Sequence, residues 1–266
     1  MQMSIKDQMG RLINLPKNPS RIISLVPSQT ELLVDLGLED KIVGLTKFCV
    51  HPKHLRKSKK IIGGTKNPSF EKIKELQPDI ILCNKEENTK EIVTQLAKEY
   101  PVHVSDIKTI ADTLTMIEQY GIIFNCQKKA LQINTAIKEQ YDNFKIVVKH
   151  QPKKEVFYFI WKNPWMSIGN DTFIHHLLEI NGFLNIQKDK QRYPEVLASE
   201  FKALNPDLVF LSSEPYPFKE KHKQELQLHF PKAKIVFVDG EYFSWYGSRL
   251  LYAFDYFKKL HKEIII

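Results

Sequence analysis

Short apolar runs alternate with amphipathic segments along most of the chain. The runs 21–26 (RIISLV), 42–45 (IVGL), 79–83 (DIILC), 102–104, 155–160, 207–211 and 234–238 have the length and composition of buried strands. Ile61 and Ile62 before two glycines make a further short element. Between the runs lie helical patterns. Ser28 precedes SQTELLVDLGL, and Glu31 three residues later completes the spacing of a capping box, with Gly37 as the stop. Ser69 caps FEKIKELQ, which Pro78 ends. Further helices are predicted over 88–99, 109–124, 172–180, 199–204, 219–229 and 248–261. Strand and helix alternating in this way predict an α/β protein with mostly parallel sheets.

One pattern is longer than the rest. Residues 127–148 run without Gly or Pro and repeat apolar positions at helical spacing. A helix of that length spans roughly 30 Å, which suits a connecting strut. The two flanking stretches echo each other. SFEKIKELQPDIILCN (69–84) and SEFKALNPDLVFLSS (199–213) both run cap, short helix, Pro-Asp, apolar strand. The expected division is an α/β lobe over 1–108, a helical connector over 109–149, and a second α/β lobe over 150–266.

Composition narrows the function classes. Of 266 residues, 42% are hydrophobic, so the chain can build cores and is not a disordered segment. No apolar run reaches the roughly 18 residues of a membrane helix. Net charge is +8, but the excess is scattered lysine. The densest stretch, 53–60, reads as a solvated loop, and no nucleic-acid motif accompanies it. The three cysteines, Cys49, Cys83 and Cys126, are widely spaced and form no CxxC pair, which argues against a disulfide framework or a zinc site. The first sixteen residues have no apolar stretch of secretory length, so no signal peptide is read there and a cytoplasmic location stays open.

The ordered set of segments resembles a known family. RIISLVPSQTELLVDLGLEDKIVGLTKF and GGTKNPSFEKIKELQPDIIL lead, and KKEVFYFIWKNPWMSIGNDTFIHHLLEINGFLNI, RYPEVLASEFKALNPDLVFLSS and VDGEYFSWYGSRLLYAF follow. They are similar to the substrate-binding proteins of ABC importers for cobalamin, ferric siderophores and haem, with the greatest likeness to the cobalamin-binding members. The resemblance covers nearly the whole chain. It implies two Rossmann-like lobes joined by one long backbone helix, with a ligand cleft between them. It implies a non-enzymatic monomer that needs no cofactor. Its ligand would be a cobalt- or iron-containing complex handed to ABC permease subunits, in the periplasm or at a membrane anchor.

Site residues follow from the turns after strands and from the resemblance. Pro27 and Ser28 sit at a strand end and a helix start, where free N–H groups can meet anionic oxygens. Phe48 fits an aromatic pocket wall. Cys49 and His51, two apart on extended chain, are candidate metal ligands, though two ligands make an incomplete site. Thr65 and Lys66 lie in a glycine loop that permits close backbone approach. In the second half Trp161, Trp165 and Met166 cluster after a strand, and Phe243, Trp245 and Tyr246 share a loop with Arg249. The resemblance places Trp165, Tyr193, Trp245 and Tyr246 in the pocket, where flat rings suit a corrin, porphyrin or catecholate. Arg249 could pair an acidic ligand group or cap a neighbouring element. For permease docking the resemblance points to Glu71 and to Glu200, although counting from the second Pro-Asp pair falls on Ser199. No nucleophile–base pair is spaced for catalysis. The alternative reading is a cytoplasmic corrinoid- or metal-handling protein, or an enzyme, on the same scaffold.

Overall fold

The computed structural model describes residues 2–265, which divide into two compact units. The first holds Met1–Ile137 together with Tyr246–Arg249. The second holds Lys138–Trp245 and Leu250–Ile266.

In the first unit, β1 (Gln2–Lys6) and β2 (Leu12–Pro16) form an antiparallel hairpin. Then come β3 (Ile22–Ser24), α1 (Pro27–Asp35), β4 (Ile42–Leu45), α2 (Leu55–Ser58), β5 (Lys60–Ile61), α3 (Phe70–Leu76), β6 (Ile80–Asn84), α4 (Lys90–Leu96), β7 (Val102–Ser105) and α5 (Ile110–Ile123). Five strands make a wholly parallel sheet in the order β5-β4-β3-β6-β7. Ile23, Ile81, Cys83 and Val104 from the sheet pack with Ile73, Ile92 and Leu96 from the helices. Each such side chain taken from water contributes roughly 1.5–3 kcal/mol.

The long helix α6 (Gln127–Val148) is shared, with its break between units at Ile137. Gly121 on α5 lets the start of α6 come close: a Cβ there would lie 2.8 Å from the Ala130 Cβ. The second unit continues with β8 (Lys154–Phe159), α7 (Phe173–Ile180), β9 (Phe183–Asn185), β10 (Leu208–Ser212), α8 (Glu220–His229), β11 (Lys234–Val238), α9 (Gly240–Ser244) and α10 (Leu250–Ile265). Its four strands are parallel in the order β11-β10-β8-β9. Phe157, Phe159, Trp165, Phe201, Phe230 and Ile235 form its core. Among the described residues no helix is long and apolar enough to cross a membrane.

The echo between the halves is a shared topology. β3, β4, β6 and β7 recur as β8, β9, β10 and β11 in the same sheet order. Both Pro-Asp aspartates do the same work. Asp79 donates its N–H to the Arg21 carbonyl at 2.8 Å, and its Oδ2 accepts the Arg21 N–H at 3.0 Å. Asp207 does this with Glu155, at 2.9 and 2.7 Å. Each pins the start of one strand to its neighbour.

Several local expectations are corrected. Ser28 is not the N-cap of α1. Val26 is, without a side-chain cap, and Pro27 takes the first turn. Proline's fixed φ and missing N–H suit that position, which moves Ser28 inside the helix. The stretch 53–60 is not all loop, because its buried Leu55 begins the one-turn α2. Residues 199–204 form a 3-10 turn, Glu200–Ala203, rather than an α-helix. Phe243 does not lie in a loop. Asp239 caps α9 by accepting the Glu241 N–H, and Phe243 on that helix is fully buried against Tyr158 and Phe257. The hairpin β1–β2 and the strand β9 are additions to the expected elements.

Candidate functional site

In a parallel sheet, the loops after the strands' carboxyl ends gather on one edge, which is where ligands bind in open α/β sheets. In the first unit these loops rest on a buried polar network. Gln29, fully buried on α1, is its centre. Its Nε2 donates to Ser105 Oγ at 2.7 Å, to Tyr246 Oη at 3.2 Å and to the Cys83 carbonyl at 3.3 Å. Its Oε1 accepts from Tyr120 Oη at 2.8 Å. Burial raises the phenol pKa of Tyr246, against the hydrogen bonds from Ser105, Gln29 and Ser28. Asn84 Nδ2 reaches Ser105 Oγ at 3.0 Å, and Asn88 Nδ2 reaches the Thr65 carbonyl at 2.8 Å. A network so fully satisfied fixes one arrangement of the loops above it.

The predicted residues of this unit divide by exposure. Pro27, Ser28, Cys49, Thr65 and Tyr246 are buried, His51 is half-buried, and Phe48 and Lys66 are exposed. Phe48 keeps 49% of its surface in solvent, with Lys47 Nζ 5.1 Å from its ring centroid. Its ring lies over Gly64, where a Cβ would come within 3.3 Å of the ring edge, and Gly63 holds φ at +119° beside it. Cys49 Sγ accepts from Thr30 Oγ1 at 3.1 Å and lies 3.3 Å from Thr46 Oγ1. Burial pushes this thiol up, so it stays protonated. Among the described residues no three His, Cys, Asp or Glu side chains gather as metal ligands. Arg249 is engaged within the same unit, by two hydrogen bonds to the Glu31 carboxylate.

In the second unit the tryptophans part company. Trp165 is a core residue at 9% exposure, stacked on Phe218, with Lys162 Nζ 4.7 Å from its ring centroid. Trp161, just past β8, is 38% exposed and meets Tyr216 edge to face at 5.3 Å. Tyr216 stands in the loop after β10, so both rings belong to the carboxyl edge of the sheet. Trp245 is buried, and its Nε1 donates to Glu214 Oε1 at 3.0 Å, beside Ser244 Oγ at 2.7 Å. Burial raises the Glu214 pKa despite these bonds. Tyr193 is half-buried, with the Arg192 guanidinium 5.6 Å from its ring. Glu71 is exposed in the first turn of α3. Glu200 is exposed too, and its Oε2 accepts the Leu197 N–H at 2.7 Å.

Asn84, Asn88, Glu214 and Tyr216 were not singled out from the sequence. Asn84 alone carries a sequence signal, a polar residue closing an apolar run, and it is a weak one.

The periplasmic binding protein family matches residues 22–234. The chain belongs to that family. As a periplasmic binding protein it binds rather than catalyses. An uncharacterized ABC transporter substrate-binding lipoprotein of Bacillus subtilis is 28% identical to it over 215 residues, 77% of this chain and 68% of the relative. A vitamin B12-binding protein of Pectobacterium carotovorum is 23% identical over 240 residues, 88% and 86% of the two chains. A solved structure, of a possible iron-binding periplasmic protein from Staphylococcus epidermidis, superposes with a TM-score of 0.77 at 26% identity, over 94% of this chain and all of that one. This binding protein thus shares both its sequence pattern and its fold with substrate-binding proteins of transporters.

Proposed function

We propose that this protein is the substrate-binding component of an ABC-type importer and that its ligand is a corrinoid, a ferric siderophore or a haem-like complex. The cobalt or iron in that ligand is cargo, and no cofactor is needed. The observation that carries the reading is the exposed Trp161 set edge-on to Tyr216 at the carboxyl edge of the second sheet. A large ring in such a loop has no core to fill, and flat apolar faces suit a macrocycle or catecholate. Phe48 plays the same part on the first unit, with the Pro27–Ser28 turn and the loop of Thr65 and Lys66 beside it in sequence order along the same sheet edge. Tyr193 is proposed as a further ligand contact on the second unit. The vitamin B12-binding and possible iron-binding relatives support this choice of ligand.

The protein would act as a monomer and would present Glu71 and Glu200 to the permease; its lipoprotein relative supports a place outside the cytoplasmic membrane. Titration with cyanocobalamin, cobinamide, haemin and ferric siderophores, read by tryptophan fluorescence, tests the reading. Saturable quenching by one of these is expected. A flat signal with all of them would overturn it.

A further inference from the structure

The amino ends of the second unit's strands form the pole away from its aromatic loops, and four elements bring their ends together there. α6 and α10 pack side by side in the same direction: Tyr141 stacks on Phe254, and Phe144 meets Phe254, Phe257 and His261. Their carboxyl ends therefore finish near each other. Lys234, opening β11, donates from Nζ to the Glu263 carbonyl at 2.7 Å and ties the end of α10 to the sheet. From α6 the chain reaches β8 through one turn, closed by the Gln151 N–H on the Val148 carbonyl at 3.0 Å. Residues 202–206 and 229–233 line a groove of about 400 Å³ on the same side.

This pole is rich in lysine. Lys149, Lys153, Lys202, Lys232, Lys234 and Lys262 are all exposed. Exposed acids stand there as well: Glu155, Asp207 and Glu263 among the lysines, Glu200 on the turn of Lys202, and Asp142 one turn back on α6, where it pairs with Lys145; the Asp207 carboxylate is turned onto the Glu155 backbone. Beside the lysines, on the last turn of α6, Ile146 is 71% exposed and Val147 40%. Ammonium groups and bare aliphatic side chains at one pole match an anionic lipid surface, where the charges meet phosphates and the aliphatic groups enter the headgroup boundary. The fork-shaped arginines and stacking rings that favour nucleic acid are not part of this set.

We propose that the lysine-rich pole of the second unit docks on an anionic bilayer, with Ile146 and Val147 entering its interface. This is independent of the ligand and of the surfaces assigned to it. Co-sedimentation of the whole protein with vesicles is the test. Vesicles of phosphatidylcholine and phosphatidylglycerol in equal amounts are expected to bind it, and salt near ~1 M, with a screening length of about 3 Å, to release it. Each lysine near such a surface is worth roughly fivefold in partitioning, so K149Q/K153Q/K262Q should weaken binding on the order of 100-fold. Ile146→Ser should weaken it further at fixed charge. K53Q/K57Q/K60Q, which removes the same charge from the first unit, should leave binding within about twofold. Equal binding to pure phosphatidylcholine vesicles, or an equal loss in the first-unit variant, would overturn the proposal.

Discussion

Arg249 and Glu31 stand 218 positions apart in the chain yet form a two-pronged ion pair, Nε to Oε2 at 2.9 Å and Nη2 to Oε1 at 2.8 Å. Only 10% and 18% of their side-chain surfaces are exposed. Burial raises the Glu31 pKa, and the guanidinium pulls it back. Taking away one partner strands the other charge out of water, at a cost of about 3 kcal/mol. Glu31→Ala should therefore lower the stability of the first unit by about that much. E31A/R249M should lose less than the sum of its single changes. Urea unfolding measures both, and simple additivity would mean that the pair is not coupled.

The two tryptophans after β8 should separate binding from stability. Trp165→Ala empties a core position among Phe159, Phe201 and Phe218 and should cost about 3–5 kcal/mol. Trp161→Ala removes a ring already 38% in solvent and should cost under about 1 kcal/mol, while lowering ligand affinity about tenfold. Thermal unfolding and ligand titration of both variants check this. Equal stability losses would contradict the assignment of one ring to the core and one to the surface.

The cysteines should be slow to react. Cys49 and Cys83 are fully buried, and Cys126 is half-buried. Burial raises all three thiols, Cys83 to about 12, so little thiolate is present near neutrality. A thiol-specific disulfide reagent should modify Cys126 first and the other two only on unfolding. Rapid native labelling of Cys49 would show an open, ionised thiol at that position.

His103 should make the first unit acid-sensitive. It is fully buried on β7, with Nε2 2.8 Å from Gln119 Oε1. Burial lowers its pKa below the ordinary 6.5, against the bond to Gln119 and the charge of Asp7. The imidazole is thus neutral when folded. Below about pH 6.5 the unfolded chain takes up a proton that the folded chain resists, so stability falls as pH falls. The urea midpoint should drop between about pH 7.5 and about pH 5.5, and His103→Gln should flatten that slope. An unchanged slope in the variant would assign the acid sensitivity elsewhere.

Much of the fold was legible in the sequence where the pattern is strong. The shared helix was expected over 127–148 and is Gln127–Val148, because nothing in that stretch breaks a helix. The Pro-Asp echo matches the topology the two sheets share, because in each an aspartate at a strand start accepts an N–H from the neighbouring strand. The hairpin was missed because its strand β2 buries only Ile13 and Leu15, and Asp7 organises its turn from 4% exposure by accepting the Met9 and Arg11 N–H groups.

Sequence alone determined the α/β class and the parallel order of strand and helix, since these follow from periodicity and from residues near each other in the chain, and its ordered segments carried the resemblance to the family. Tertiary structure decided what each side chain does. It made Trp165 core and left Trp161 outside, brought Tyr246 to Gln29 across 217 positions, and gave Arg249 to Glu31. Periodicity reports which face a residue takes on its own element. Whether that face is covered, and which polar partner is buried against it, depends on segments far away in the chain.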